Sequence, residues 1–525
     1  MGQAKVKRSK KNTGTGKHDG KILNAMQWIS CIYMLYLTVF FLLVCPEGFV
    51  NYDLYKRDMF IYPTLFFLGV EFVLWVLSLD DKKRVWLNYD KWYDRIDFVG
   101  LALIISWFIG YRGSYDKNAA FWGDSYRQVG FLFMACAVLV MIFIGHIGGW
   151  KRINTCALLI SLFIVFQWQI LNSFHVDPLN FRMDEQYQWL VASLANTDQN
   201  AMFDAVSIAL LLALVMLSKK LYERIVCFIL IAIGTAAAIL VGAETFYLGL
   251  FVAFLILFGY SLKHTECLIG FAWGCAGMLS GVLLRKAGVM KWSSVGYGGT
   301  VLSFLDSTPV IVALAAGVCV LFLFAALYSK AGGRVHRVVH TGYTALVLGL
   351  SAVAIIVITR LYQNMEQAEG TLAGFLQDVK TRVDIDAITV RMFENQNLFH
   401  KIFGIGFGNY SKNMIRDFGE EMQARFGNQV LADSHSIYFD QLASGGVLGL
   451  ILLIALFVFA LVIMRKAAGK RAACIAGAAG TAAYLAAGII NFTLIVVTPM
   501  VFVMMGVFIF LARDAGEAKR DTWTD

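Results

Sequence analysis

Charge is scarce in this chain. Only 15% of its 525 residues are Asp, Glu, Lys or Arg, whereas soluble domains usually carry about 25%. That shortage, beside 58% hydrophobic residues, argues against an ordinary soluble enzyme. Apolar runs of about 20 residues recur along the whole length, each long enough to cross a hydrocarbon core. They lack the alternation of barrel strands, so the spans read as helices, which satisfy their own backbone groups in lipid. Nine cysteines lie in or beside apolar runs without metal-ligand spacing, and the longest polar loop has none. This argues against a disulfide framework and a structural zinc. No small-residue cleavage site follows the apolar run Met26–Val44, so that run reads as a first span rather than a signal peptide. No internal repeat is visible, so the inverted-repeat signature of many transporters is missing.

What charge there is has a pattern. The formal net charge of +9 sits largely in short loops, which points to membrane topology rather than to nucleic acid. Fourteen spans can be drawn, the first at 26–44 and the last at 494–512. With the N-terminus inside, 28 of the 45 Lys and Arg fall on inside segments. Both termini are then cytoplasmic and the long late loop lies outside. The expected organisation is a basic cytoplasmic tail over 1–25, eleven spans within 26–362, an extracytoplasmic loop over 363–434, three spans within 435–512 and a cytoplasmic tail over 513–525. The fold class is all-α: a polytopic helical membrane protein of about 14 spans with one large extracytoplasmic loop containing short helices.

That loop is the most informative stretch. Its 72 residues carry seven Lys and Arg against ten Asp and Glu, and structureless loops of such length are uncommon. Short helices are expected over 368–379, 385–399 and 410–426. The last is amphipathic, with Met414, Phe418, Met422 and Phe426 at helical spacing, a stripe read as packing onto the membrane domain. Three features follow one another here: Arg391 in Ile388-Thr389-Val390-Arg391-Met392-Phe393; the glycine-rich turn Phe403-Gly404-Ile405-Gly406-Phe407-Gly408-Asn409-Tyr410; and Asp433-Ser434-His435-Ser436-Ile437-Tyr438-Phe439, which runs into Gly445, Gly446 and Gly449.

In order and spacing these segments resemble the O-antigen ligase and polymerase superfamily of bacterial membrane glycosyltransferases, over roughly residues 385 to 455. The resemblance equates Gly404 and Gly406 with the first glycine pair, His435 with the family histidine, Tyr438 with the aromatic residue three positions on, and Gly446 and Gly449 with the later pair. Ser436 replaces the usual Asn, Ser444 stands where an acidic residue is common, and Glu244 stands where an arginine would be expected. The resemblance implies transfer of a polyprenyl-diphosphate-linked glycan to a sugar acceptor, itself lipid-linked, in cell-surface polysaccharide assembly. Polymerase is the favoured form on a family-level prior, and ligase to lipid or protein is the alternative. A flippase or other transporter is the alternative of a different class, and a noncatalytic assembly partner a third. Other polysaccharide-assembly proteins and membrane lipids are the remaining partners expected, with no nucleic acid.

Chemistry alone asks for the same residue types. A donor used outside the membrane must arrive activated, and polyprenyl diphosphate is a good leaving group. Arginine holds phosphate oxygens with a planar, permanently charged fork. Histidine takes a proton near neutral pH. Arg391 and His435 are therefore the catalytic candidates. Arg382, Arg416 and Arg360 are candidate second cations, and Gly404, Gly406, Tyr438 and Glu244 candidate substrate-binding residues. Asp384 and Asp386 read as a solvated loop pair, so no metal and no cofactor is expected. Glu71, mid-span, is either functional or paired inside the membrane. His146, Trp107, Tyr111 and Trp150, near span ends, read as interfacial anchors.

Overall fold

The computed structural model describes residues 19–45, 48, 51–78, 92–174, 176–178, 192–289, 305, 307–363, 371–427 and 431–517, with the side chains of residues 19, 20, 92, 288, 289, 354–379, 426, 516 and 517 outside that description. Most of the expected N-terminal tail and the last eight residues also lie outside it. Among the described residues the chain is all-helical, without strands. Eighteen α-helices follow one another. They are α1 (Asp19–Tyr36), α2 (Tyr52–Ser78), α3 (Arg95–Gly113), α4 (Lys117–Trp122), α5 (Phe131–Ile147), α6 (Arg152–Ser173), α7 (Thr197–Leu217), α8 (Leu221–Val241), α9 (Glu244–Lys263), α10 (Leu268–Leu284), α11 (Thr308–Tyr328) and α12 (Gly333–Gln363). The loop and the end of the chain give α13 (Thr371–Glu394), α14 (Leu398–Phe403), α15 (Tyr410–Phe426), α16 (Ile437–Ala467), α17 (Cys474–Ala487) and α18 (Val497–Glu517).

Among the described residues eleven helices are long and apolar enough to cross a membrane, and two shorter apolar ones, α5 and α17, lie among them. The chain is thus a polytopic membrane protein. The expected span at 341–362 falls within α12. The boundary at Gly242 is a true break between α8 and α9, because Gly242 takes a left-handed conformation, φ +75°, that glycine adopts without steric cost.

Burial separates inner from outer helices. α7 is apolar all round and sits at the centre, 83% buried over its most apolar stretch, against α8, α9, α10 and α17. α11 is equally apolar but only 6% buried, so its apolar surface is left for lipid. Some polar groups within spans pair with one another. Ser30 Oγ donates to Glu71 Oε1 at 3.2 Å between α1 and α2, and Gln169 Nε2 reaches both oxygens of Asp204 at 3.2 Å between α6 and α7. Glu71 therefore has an intramembrane partner.

The loop differs from expectation in its helices: the one expected over 385–399 ends at Glu394, a separate short helix α14 begins at Leu398, and α15 is kinked at Phe418. The segments 368–379 and 385–399 were expected as separate helices, but α13 runs unbroken from Thr371 to Glu394. The linking residues Lys380–Asp384 contain neither glycine nor proline, so nothing stops the helix. α15 has the expected bounds, Tyr410–Phe426. Its Met414 and Met422 are buried and Phe418 packs beside them, in one cluster with Ile388, Met392, Ile405, Tyr410 and Ala443. The stripe is thus covered chiefly by the loop's own helices.

Candidate functional site

The site is organised by a break in α16. Gly446 has φ +68° and ψ −174° within that helix. A helical chain would turn the carbonyls of Ala443 and Ser444 toward amides four residues ahead. Here they accept instead from Ile405 N at 3.0 Å and Gly406 N at 3.1 Å. The glycine-rich turn is therefore hydrogen-bonded into the broken helix. A Cβ on Gly404 would collide with Ser444 O, and one on Gly446 with Ile402 O, so both glycines permit a close backbone approach. The amide of Gly404 donates to His400 O at 2.8 Å. The amides of both candidate glycines are thus engaged within the protein, and the turn serves as a clasp. Asn409 extends it to the start of α4: Asp116 N donates to Asn409 Oδ1 at 3.0 Å, and Asn409 Nδ2 to Asp116 O at 3.2 Å.

The clasp fixes the start of α16, and His435 stands just before it. Ile437 N donates to Gly488 O and Asn491 O at 2.9 and 2.8 Å, and Tyr438 OH to Leu485 O at 2.8 Å. Both tie α16 to the end of α17. His435 itself is left-handed, φ +57°, uncommon for a side-chain-bearing residue. An Asx turn holds it there, with His435 N donating to Asp433 Oδ1 at 2.9 Å. The same oxygen lies 3.0 Å from His435 Nδ1. That contact is an ion-pair approach without the alignment of a hydrogen bond. Asp433 Oδ2 accepts from Arg127 Nε at 2.5 Å, and the Arg127 guanidinium stacks over Phe492, 3.7 Å from the ring centroid. Phe492 also meets the His435 ring edge-on, centroids 5.7 Å apart.

The charges set one another. Burial alone would raise the Asp433 carboxyl, but the Arg127 guanidinium and the His435 ring outweigh it and hold it at about 2. Burial disfavours the His435 imidazolium, yet Asp433 wins and raises the ring above its ordinary 6.5; Arg127 opposes and Asp198 at the start of α7 assists. Asp386 on α13 also faces this centre. Burial pushes it up to about 7, against the pull of His435 and Arg382. Its Oδ1 has no hydrogen-bond partner among the described residues.

The candidates divide into two groups. Arg382 donates to Ile490 O and its Nη2 lies 3.9 Å from Glu244 Oε2. With Asp386, these two join the His435 and Tyr438 region at the 485–492 segment. Arg391 lies apart, half-exposed, on the face of α13 that meets α15: its Nη2 is 2.7 Å from Glu421 and its guanidinium lies over Phe418. Glu421, rather than the nearby Glu394, is its partner. Arg416 pairs with its neighbour Asp417 and lies over Tyr115. The side chain of Arg360 is outside the described residues. Among the described residues no group of His, Cys, Asp and Glu could hold a metal ion. Two residues taken as interfacial anchors have other roles: Trp107 is 2% exposed, and His146 pairs with Asp97 at 2.6 Å.

Sequence reasoning left Arg127 and Asp433 out of the candidates. Asp433 carried a signal, since an Asp two residues before His435 is an Asx-turn pattern. Arg127 carried none, as it reaches Asp433 from 306 positions away.

Residues 294–454 match the family described as O-Antigen ligase. That stretch contains the loop, the glycine clasp, His435 and the break in α16, and the match supports the O-antigen ligase superfamily for it. No curated protein matches the chain.

Proposed function

We propose that this protein polymerises a cell-surface glycan outside the cytoplasmic membrane, transferring a polyprenyl-diphosphate-linked chain to a sugar hydroxyl of a lipid-linked acceptor. The observation that carries the reading is His435, in the matched stretch, held at the start of α16 by Asp433, itself paired with Arg127. Asp433 occupies the Nδ1 side of the ring and leaves Nε2 for substrate. The neutral imidazole takes the proton of the acceptor hydroxyl as its oxygen bonds to the anomeric carbon. The bond from that carbon to the diphosphate oxygen breaks, and polyprenyl diphosphate leaves with the electron pair. A positioned base of this kind contributes about 100- to 10,000-fold. Arg382, near Asp386 and Glu244, is the cation on this side that Asp433 does not hold, and it meets the growing charge on the leaving diphosphate. Arg391, exposed on the rim, and Arg416 and Arg360 are further donor contacts.

The test is the glycan profile of a strain lacking the protein. Single lipid-linked repeats accumulating outside are the expected outcome. Long lipid-linked chains that never reach an acceptor would make the protein a ligase, and repeats trapped inside would make it a flippase.

A further inference from the structure

Beside His435 lies a half-open cleft, with about 480 Å³ of empty space when the open solvent at its mouth is counted. We infer that this cleft, walled by Asp124, Arg127, Phe407, Asp440, Gln441 and Phe492, is the subsite for the acceptor sugar ring and takes its hydroxyl groups rather than a phosphate. The inference rests on the transfer function proposed above.

Charge balance comes first. Asp124, Asp433 and Asp440 all stand on the wall against one guanidinium, that of Arg127. Arg127 is committed to Asp433 at 2.5 Å, with its face covered by Phe492. A diphosphate would meet three acidic side chains and a single guanidinium already engaged, whereas sugar hydroxyls would meet hydrogen-bonding oxygens. The carboxylates keep a free side. Asp124 Oδ1 accepts from the amides of Tyr126 and Arg127, and Asp440 Oδ1 from Ser434 N and Oγ. Their Oδ2 atoms carry no hydrogen bond from the described residues.

Donors without partners are the second observation. Gln441 is 4% exposed, Trp107 is 2% exposed, and neither Gln441 Nε2 nor Trp107 Nε1 has a hydrogen-bond partner among the described residues. An orphaned buried donor is costly unless something occupies its site. The two atoms converge over the bare surface of Gly445, where a Cβ would strike Gln441 Nε2 and crowd Trp107 Nε1, with Gln441 on the cleft wall and Trp107 behind it. Trp107 also meets Phe407 edge-on, centroids 5.4 Å apart, so one wall offers aromatic faces and the other hydrogen-bonding groups. Asp433 and Phe492 are shared with His435. A sugar seated here presents hydroxyls to the wall where the base stands, and the diphosphate is left to the Arg382 side.

The test uses the full chain in lipid nanodiscs and saturation-transfer NMR with methyl glycosides of glucose, galactose, rhamnose, N-acetylglucosamine and N-acetylgalactosamine. At least one glycoside is expected to bind. Gln441→Leu and Asp440→Asn should each weaken it about five- to tenfold, the loss of one hydrogen bond, and equimolar inorganic diphosphate should not displace it. Thr493→Val, at the cleft wall, serves the same purpose if Gln441→Leu does not fold. Binding by no glycoside, displacement by diphosphate, or unchanged affinity in the variants would overturn the inference. If glycosides fail to bind while wild-type membranes still build glycan, the subsite falls and the transfer function stands. If they bind while deletion leaves glycan assembly unchanged, the transfer function falls.

Discussion

Two clusters of charged residues lie at opposite ends of the helical bundle, and they differ in what they leave unmatched. In one, Arg513 of α18 donates Nη1 to Gly145 O at 2.8 Å and Nη2 to Asp97 at 2.9 and 3.1 Å, while its Nε lies 3.3 Å from Asp94. His146 lies against the same Asp97. The cluster ties together α3, α5 and α18. The other is the Arg127–Asp433–His435 group. α3 links the two: Asp97 is near its start, and Gly113, whose carbonyl is 3.0 Å from His400 Nε2, ends it. Sixteen residues of helix separate them by about 24 Å. At the Arg513 end two carboxylates and a carbonyl surround the guanidinium, and of its nitrogens Nε, 3.3 Å from Asp94, lacks an aligned hydrogen bond. At the His435 end an imidazole nitrogen, a carboxylate oxygen and an amide lack aligned partners, and a cleft opens beside them. A network with one nitrogen short of alignment and its charges mutually compensated holds helices together; one with several unmatched groups beside a cleft is where a substrate completes the bonding.

The comparison makes its largest prediction about accessibility. If the His435 end lies outside, a cysteine at Lys412, in the exposed loop, reacts with an impermeant thiol reagent on intact spheroplasts, above the background of the native cysteines. One at Lys466, at the opposite end of α16, stays unlabelled. Reversed labelling would put the proposed chemistry on the wrong side of the membrane. Next comes His435→Ala. It should lose about 100- to 10,000-fold of transfer while its thermal unfolding matches wild type. His435→Gln separates roles: near-wild-type transfer would mean that the residue positions substrate without taking a proton.

Arg513→Met is the counterpart. Removing one partner of a buried charge pair costs about 3–5 kcal/mol, because Asp97 and Asp94 would remain uncompensated. The variant should unfold at lower temperature in detergent and transfer normally per folded molecule. A loss of transfer at unchanged stability would erase the distinction between the two ends.

How much of this could be read beforehand follows from distance in the chain. Spans are local, each written in about 20 consecutive residues, so α1 to α18 largely fall where apolar runs placed them. The glycines at 404, 406 and 446 were legible as backbone positions. That they interlock was not, since the partners of Ile405 and Gly406 lie 38 residues on, at Ala443 and Ser444. Arg127 is the extreme case: it sits in a short loop between α4 and α5, and only the folded bundle brings it to Asp433. Arg391 shows the reverse. Its residue type and motif suggested a partnership with His435, but helical phase decides direction, and α13 turns Arg391 toward Glu421 while Asp386 faces the histidine.

Asp433→Asn sharpens the His435 end. Transfer needs neutral imidazole, so activity falls as pH drops through the ring's pKa, which Asp433 raises above 6.5. The acidic limb of the wild-type rate profile is expected above pH 6.5. Removing the carboxylate leaves Arg127, whose charge opposes protonation, while Asp198, Asp386 and Asp440 keep part of the favourable field. The limb should move to lower pH, with a lower plateau because the Asx turn is weakened. An unshifted limb with the same loss of rate would mean that Asp433 only supports the fold.

The smallest effect is expected at Arg391, between the two extremes because it is charged, half-exposed and already paired. Exposed ion pairs contribute about 0.2–1 kcal/mol, so Arg391→Lys should leave stability almost unchanged. The substitution keeps the charge and loses the bidentate fork. If Arg391 holds the donor diphosphate at the rim, KM for donor rises about three- to tenfold with kcat nearly constant, the mark of lost ground-state binding, and Arg391→Ala raises it further. Normal KM in both variants would confine Arg391 to its contact with Glu421. A fall in kcat as deep as that of His435→Ala would place the rim of the loop at the reacting centre, and the line drawn here between Arg391 and the Arg127–Asp433–His435 group would be wrong.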